Sequence, residues 1–394
     1  MNTRIELLPI ASRVAAIAYP VIVAGACLLA VNLAQSVRDQ PSSLVGNTAR
    51  LERIVVSADG RGFCLAQSGK PFVPWGFNYD HDERGRLIED YWDAEWDKIA
   101  EDFREMKRLG ANVVRIHLQV SRFLPVPDTP CSKALARLRR LLNLAAETGL
   151  YLDLTGLGCY HRRDVAAWYD ALSETERWEM QTRFWQAIAQ CCAGHPAVWC
   201  YDLMNEPVIP GGQVPGRNWL GPEFGGKCFV QFVTLDARRR AREEIGEMWV
   251  RTLVSAIRRH DPHTLITVGL LDGNIERRKF HSGFDPQRLA CYLDFLCLHI
   301  YPKSGEIEAA VERLREYVLG KPIVVEEMFP LNCTPAELGQ FIRQSRRYVS
   351  GWIGFYWGKT PEELRQSSEL ADKLTLAWLE LFQNMRPDLQ QKKP

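Results

Sequence analysis

Two positions in the sequence place glutamates where buried strands are expected to end. Glu206 closes the apolar segment VWCYDLMNE, between Asn205 and Pro207, and the pair Glu326–Glu327 closes PIVVEEM. Because an ionised carboxylate is costly to desolvate, a glutamate at the end of an apolar strand indicates a functional rather than a packing role. Hydrolysis of a glycosidic bond requires one protonated and one ionised carboxyl group. The sequence therefore supplies one carboxyl group for each role.

Other polar side chains also occur near the ends of predicted strands. Arg115 lies in the apolar segment NVVRIHL, where a guanidinium group needs a carboxylate partner. His299 and Tyr301 are two residues apart in FLCLHIY, so both side chains point to the same side of their strand. Trp357 follows the apolar segment GWIGFY. We take these residues as candidates for the same site.

The segments that would position these side chains alternate regularly along the chain. Short apolar segments typical of buried strands begin at residues 71, 112, 151, 198, 265, 295, 322 and 351. Helix-like stretches lie between them, including 92–109, 133–147, 307–318 and the segment that follows a capping box at Ser173 and Glu176. Eight strand–helix units predict a (β/α)8 TIM barrel with its chemistry at the carboxyl ends of the strands. A doubly wound open sheet is the alternative.

Two regions lie outside this repeat. Ile54–Val56 and Gly62–Leu65, joined by an Asp-Gly turn, predict a short β-hairpin ahead of the barrel. After the fourth strand, residues 208–232 form an insertion rich in glycine and proline. This insertion is compatible with a flap that contacts substrate and equally with a surface addition packed on its own aromatic residues. Trp219 within it, like Trp75, is a candidate for the cleft.

The N-terminal region forms a separate unit that contains a predicted hydrophobic helix. No charged residue occurs from Val14 to Val37, and as a helix this run is about 36 Å long, enough to cross about 30 Å of hydrocarbon. The flanking arginines do not decide the orientation of this run. Because large glycans do not readily enter a cell, we expect the predicted catalytic domain to lie outside the cytoplasm, either membrane-anchored or secreted after cleavage. We divide the chain into a flank (1–13), a transmembrane anchor or signal segment (14–37), a linker (38–50) and a catalytic domain (51–394).

Composition and charge narrow the classes of partner. The 49 Lys and Arg residues nearly balance the 48 Asp and Glu residues, so no basic field favours nucleic acid. The 12 tryptophans supply flat faces of the kind that a sugar-binding cleft uses. No His or Cys pair has the spacing of a metal site, and we predict neither a metal nor a cofactor. A disulfide among cysteines of the predicted strand-to-helix loops stays open; these are Cys131, Cys159, Cys228 and Cys333.

Four segments in order, HPAVWCYDLMNEP, LHIYP, KPIVVEEM and GFYWG, resemble glycoside hydrolase family 5, which includes cellulases and β-mannanases. The resemblance covers most of residues 53–381. It implies a retaining mechanism with Glu206 as general acid/base and the glutamate closing the seventh strand as nucleophile. In the family that nucleophile precedes a large or aromatic residue and then usually a glycine. Glu327 fits the first part and lacks the glycine, and we favour it over Glu326.

The same resemblance implies roles for the other candidate residues. Asn205 would hydrogen-bond the sugar 2-hydroxyl group, and Arg115 and Tyr301 would hold the nucleophile ionised and oriented. His299 would contact the acid/base and the sugar. Trp357 would form the floor of the subsite that holds the reacting sugar.

We therefore expect a hydrolase that cleaves β-glycosidic bonds in a carbohydrate of the β-mannan or β-glucan type by double displacement. Many cellulases of the family carry a histidine after Leu-Asp-Leu on the third strand, where this chain has Thr155. This departure favours the β-mannan side slightly. The alternatives are a catalytically silent carbohydrate-binding barrel and a transglycosylase that uses the same residues.

Overall fold

The structure is a computed structural model that describes residues 51–272 and 282–390, with side chains described through Met385. The predicted flank (1–13), transmembrane or signal segment (14–37) and linker (38–50) lie outside the described residues. Within the described ranges, no helix is both long enough and apolar enough to cross a bilayer. The ten cysteines of the described part of the chain are free thiols.

A small antiparallel sheet precedes the barrel and contains β1 (Ile54–Val56), β2 (Phe63–Leu65) and β3 (Pro71–Phe72). Ile54 pairs with Leu65, as the predicted hairpin requires. The Phe63 ring lies edge-on to Trp199, with centroids 5.6 Å apart, and Trp199 lies near the beginning of a barrel strand. Because its apolar residues pack against these strand beginnings, the sheet covers the end of the barrel opposite the predicted site.

Eight parallel strands close into a barrel in chain order, which confirms the predicted (β/α)8 fold. The closing pair joins the last strand to the first, with Trp352 opposite Trp75, and excludes the open-sheet alternative. The barrel strands are β4 (Trp75–Asn78), β5 (Val113–Gln119), β6 (Tyr151–Gly158), β7 (Val198–Asn205), β10 (Leu265–Leu271), β11 (Leu296–His299), β12 (Ile323–Glu327) and β13 (Gly351–Phe355); β8 (Pro207–Val208) and β9 (Gln231–Phe232) pair separately.

Helices surround the barrel and bury their apolar faces against it. Ser173 and Glu176 form the predicted capping box at the start of the helix Glu174–Cys192. The final helix packs against the closing strand, where Trp378 Nε1 donates to the Phe355 carbonyl at 2.8 Å. The helices are α1 (Ile88–Tyr91), α2 (Trp96–Arg108), α3 (Val120–Phe123), α4 (Ser132–Thr148), α5 (Ala167–Ala171), α6 (Glu174–Cys192), α7 (Arg242–Arg258), α8 (Pro286–Leu289), α9 (Ile307–Arg313), α10 (Pro335–Ser345), α11 (Pro361–Gln366) and α12 (Leu370–Gln390).

Candidate active site

A cavity of about 340 Å³ opens at the carboxyl ends of the barrel strands. Four of the predicted site residues line it: Glu206, Glu327, Tyr301 and Trp357. The other three, Asn205, Arg115 and His299, lie buried directly behind these side chains. The barrel therefore brings all seven predicted residues together.

Glu327 ends β12, and both of its carboxylate oxygens are held. Arg115 Nη1 donates to Oε1 at 2.7 Å, and the Tyr301 hydroxyl group donates to Oε2 at 2.7 Å. Donors of this kind stabilise an ionised carboxylate and fix its orientation. Its side chain is 11% exposed and faces the cavity. Glu327 is thus held as an oriented carboxylate that can reach a bound molecule.

Glu206 follows β7 and contacts His299. The His299 Nδ1 atom lies 2.9 Å from Glu206 Oε1 and 3.4 Å from Glu327 Oε2, so the imidazole bridges the two carboxyl groups. Burial alone would lower the pKa of His299, but the charge of Glu327 and the contacts with Glu206 and Glu326 raise it to about 10. Glu206 has φ +45°, a left-handed conformation that is strained in a non-glycine residue and often marks a functional position.

Arg115 is fully buried and organises the site from below. Besides Glu327, it donates to Asn78 Oδ1 at 2.9 Å, to Asp202 Oδ2 at 2.7 Å and to Asn205 Oδ1 at 2.9 Å. Burial opposes its charge, but Glu326, Asp202 and Glu327 together hold the pKa of Arg115 well above its ordinary value. The carboxylate partner that the sequence requires is therefore present more than once.

Glu326 and Glu327 both point into the barrel, where strict alternation would expose only one of them to the interior. The pairing of β11 with β12 shifts by one residue, so that Leu298 lies opposite Val325 and His299 opposite Glu327. Glu326 is fully buried, 3.6 Å from Arg115 Nη2 and 3.4 Å from His299 Nε2. Although burial would raise it, these two cations lower the pKa of Glu326 to about 2. Glu326 therefore supports the site from beneath, and Glu327 faces the cavity.

Trp357 lies after β13 on the cavity wall. Its Nε1 atom donates to Asp80 Oδ1 at 3.0 Å, and its ring stacks on Phe355 at 5.3 Å and on His81 at 5.6 Å between centroids. A flat aromatic surface of this kind can pack against the apolar face of a sugar ring. The other two tryptophan candidates lie elsewhere in the fold.

The structure corrects the prediction that Trp75 and Trp219 belong to the cleft. Trp75 stacks on Phe382 of α12 at 4.3 Å, and Trp219 packs against the guanidinium group of Arg177. Both rings are buried and neither lines the cavity. Their aromatic surface therefore belongs to the packing of the barrel and of the insertion.

Several residues at the site were not predicted from the sequence. Asn78 ends β4, and Asp202 lies within β7. A polar residue in an apolar strand is the same sequence signal that identified Glu206, so both could have been predicted. His117 lines the cavity and hydrogen-bonds the Tyr160 hydroxyl group, and burial together with Arg115 lowers its pKa, so it is neutral. Part of residues 219–232, here called the insertion hairpin, also lines the cavity, including Phe224, Lys227 and Phe229; the sequence had left a flap and a surface addition equally open.

Glu206, His299 and Glu327 are the described groups that could hold a metal ion, since one ligand atom from each lies within 4.8 Å of the others. A histidine ligand must be neutral. The raised pKa of His299 instead favours the imidazolium, in which both ring nitrogens carry a proton. The trio therefore fits proton handling between two carboxyl groups better than metal binding.

Comparisons with known proteins agree with this geometry. The family model for cellulases, glycosyl hydrolase family 5, matches residues 65–328. The chain belongs to glycosyl hydrolase family 5. As a member, it is a glycosidase that acts on O-glycosyl compounds. Among curated protein sequences, none matches this chain.

Solved structures share the family 5 barrel at low sequence identity. An exo-β-1,4-mannosidase from Opitutaceae bacterium strain TAV5 is 18% identical with TM-score 0.62, over 85% of this chain and 62% of that chain. A GH5_18 protein from Bifidobacterium longum subsp. infantis is 16% identical with TM-score 0.60, over 81% and 80%. A β-1,4-mannanase from the sea hare Aplysia kurodai is 16% identical with TM-score 0.54, over 84% and 96%. At these identities the likeness is one of fold.

Proposed function

We propose that this glycosidase hydrolyses β-glycosidic bonds with retention of configuration, with Glu206 as general acid/base and Glu327 as nucleophile. One observation carries the proposal: carboxylate oxygens of Glu206 and Glu327 lie within 4.8 Å of each other, with His299 between them. Retaining enzymes hold their carboxyl groups about 5–5.5 Å apart, whereas inverting enzymes need about 6.5–9.5 Å to admit a water molecule. The spacing supports direct attack by Glu327.

The first half of the reaction forms a covalent intermediate. Glu327 attacks the anomeric carbon as the glycosidic C–O bond breaks, and Glu206 transfers its proton to the departing oxygen. In the second half, Glu206 removes a proton from water, the water oxygen attacks the same carbon, and the bond to Glu327 breaks. Arg115 and Tyr301 hold the Glu327 carboxylate in line before attack and receive it again when it departs.

We propose a substrate of the β-mannan or β-glucan type, with the β-mannan side favoured. Thr155 stands where many cellulases of the family have a histidine, and its hydroxyl group donates to Asp202 Oδ2 at 2.8 Å within the buried cluster. The solved structures described above include a mannosidase and a mannanase. Both facts support the β-mannan side.

A panel of aryl β-mannosides, aryl β-glucosides, mannans and glucans tests the proposal. We expect the wild-type chain to act on at least one member, with the β-anomer as the first product by NMR, and Glu206→Gln to lose most of that activity. Equal background rates for both proteins would refute the assignment and favour a silent carbohydrate-binding barrel. A 2-deoxy-2-fluoro glycoside should label Glu327, and a label on Glu326 would reverse the choice of nucleophile.

We also propose that residues 14–37 place the catalytic domain outside the cytoplasm, as a membrane anchor or as a cleaved signal. The length of the uncharged apolar run supports this proposal. Fractionation of cells that produce the full chain should recover it in the alkali-resistant membrane fraction or in the medium. Recovery in the cytosol alone would refute the proposal.

A further inference from the structure

The insertion hairpin (219–232) is a defined structural element. Its arms are joined by hydrogen bonds from the backbone N–H of Gly221 to the Val230 carbonyl at 2.8 Å and from Phe232 to Trp219 at 2.8 Å. At its tip, Phe224 and Lys227 exchange two backbone hydrogen bonds of 2.8 and 3.0 Å. Gly225 and Gly226 between them have φ +56° and +77°, the left-handed pair that a type I′ turn requires.

This hairpin crosses one side of the barrel mouth. Its second arm pairs with the segment that follows β7, with Gln231 opposite Pro207, and the Cys228 N–H group donates to the Tyr160 carbonyl at 2.8 Å, just beyond β6. The Phe229 ring packs on Tyr160 with centroids 5.1 Å apart. Beyond β5, Lys227 Nζ reaches the loop after β4, where it lies 3.3 Å from the position that a Cβ atom on Gly85 would take. The insertion hairpin therefore forms a wall across the β4–β7 side.

Lys227 is the buried charged residue of this wall, whereas Glu223 near the hairpin tip is exposed. Lys227 is only 5% exposed, and it lines the cavity together with both catalytic glutamates. Within residues 51–272 and 282–390, the structure gives Lys227 Nζ neither a hydrogen bond nor an ion pair. The negative charges of Asp80, Asp82 and Asp90 favour the charged form of this ammonium group, and the hydroxyl oxygens of a bound sugar can accept its N–H donors.

The chemistry decides which part of a substrate this closed side can hold. During double displacement the aglycone leaves and water takes its place, while the glycone stays bonded to the nucleophile. The aglycone side must therefore stay open, and only the glycone side can be closed. At the opposite rim, beyond β12, the cavity is lined by Leu331, an apolar side chain that is 54% exposed. Such a rim can pack against a departing aglycone.

We propose that this enzyme removes single sugar residues from the non-reducing end of its substrate, and that Lys227 binds hydroxyl groups of that terminal sugar. The proposal rests on the retaining hydrolysis by Glu206 and Glu327 proposed above. The cavity volume of about 340 Å³ is near the lower limit for small-ligand sites, about 300–1,000 Å³, which suits a chain end rather than an extended chain.

Substrates with a blocked chain end test the mode of action in the wild-type enzyme. The 4-nitrophenyl β-mannobioside and β-cellobioside are each prepared with a free or a 4,6-O-benzylidene-capped non-reducing sugar, and products are separated by chromatography. We expect a monosaccharide as the first sugar product and capped substrates at least tenfold slower. Capped substrates less than tenfold slower would overturn the inference alone. No hydrolysis of any compound would overturn the proposed function and the inference with it.

Lys227→Met tests the binding role, because methionine keeps the length of the side chain and removes its charge and donors. We expect the KM for the free bioside to rise at least fivefold, with a smaller change in kcat. Lys133→Met is the matched control, because Lys133 lies exposed on α4 and forms an ion pair with exposed Asp93; the KM of this variant should stay within twofold of wild type. A rise of less than fivefold for Lys227→Met would overturn the role of Lys227.

Discussion

Tyr301→Phe removes one hydroxyl group from the candidate active site and leaves the ring. That hydroxyl group donates to Glu327 Oε2 at 2.7 Å, and Arg115 holds the other oxygen of the same carboxylate. Burial and the neighbouring charge of Glu327 raise the pKa of Tyr301 well above its ordinary value, so the phenol is a hydrogen-bond donor throughout the working pH range. The substitution therefore deletes one donor to the nucleophile without changing the charge of the site.

The size of the effect follows from the charged acceptor. A hydrogen bond to a charged group contributes about 1.5–3 kcal/mol, and about 1.4 kcal/mol corresponds to a factor of ten in rate. Tyr301→Phe should therefore reduce kcat by roughly 10- to 150-fold, and the lower part of the range is expected because Arg115 remains. The phenol should matter most when Glu327 leaves as a carboxylate, so the second step should become slower than the first.

The assay is stopped-flow hydrolysis of an aryl β-glycoside with a good leaving group. Tyr301→Phe should show a burst of released phenol followed by slow turnover, which reports a glycosyl-enzyme that accumulates. Tyr356→Phe is the matched control: this buried tyrosine also follows the barrel strands, but its hydroxyl group has no hydrogen-bond partner in the described part of the chain. A rate for Tyr301→Phe within threefold of wild type, without a burst, would refute the reasoning.

Three further substitutions test the surroundings of the site. Glu326→Gln should lower the pKa of His299, because it removes one of the carboxylates that raise it; an NMR titration that leaves the imidazole pKa unchanged would contradict this. The pKa of His299 is raised from 6.5 to about 10 in the folded state. Its contribution to folding stability is therefore fully present below about pH 6.5 and is lost as the pH rises through about 10. Urea unfolding of His299→Gln should lack that decline. Gly354→Ala would place a Cβ atom 2.0 Å from Trp378 Cζ2 and should cost about 1–3 kcal/mol or more of unfolding free energy, measured by thermal denaturation.

The barrel could be predicted from the sequence because each strand–helix unit is encoded by a pattern within a short stretch of the chain. Each unit contributes a short apolar strand and an amphipathic helix, and the predicted helices 92–109 and 133–147 correspond to α2 (Trp96–Arg108) and α4 (Ser132–Thr148). The predicted helix 307–318 ends earlier, at Arg313, and continues as a 3₁₀ turn through Tyr317. Helix ends depend on tertiary contacts that a periodic pattern does not encode.

The orientation of paired acidic residues depends on contacts between strands and could not be predicted from one strand. Alternation assigns Glu326 and Glu327 to opposite faces. The structure turns both inward, because one extra residue in β12 shifts the pairing with β11 between Leu298 and His299. This shift is defined only when the partner strand is in place. The resemblance to a known family favoured Glu327 from its neighbouring residues, and the geometry supports the same choice on independent grounds.

The role of the insertion hairpin also depends on contacts between distant segments of the chain, and for this reason the sequence left that role open. Its glycines and prolines predict turns, yet whether it forms a flap depends on where its tip reaches across the barrel. The contacts of Cys228 with Tyr160 and of Lys227 with the Gly85 loop join segments separated along the chain, and no local pattern records them. The proposed chemistry rests on Glu206 and Glu327, which lie at the carboxyl ends of barrel strands. The part of the substrate that reaches them is decided by the insertion, so specificity should change with hairpin substitutions such as Lys227→Met while the catalytic pair stays intact.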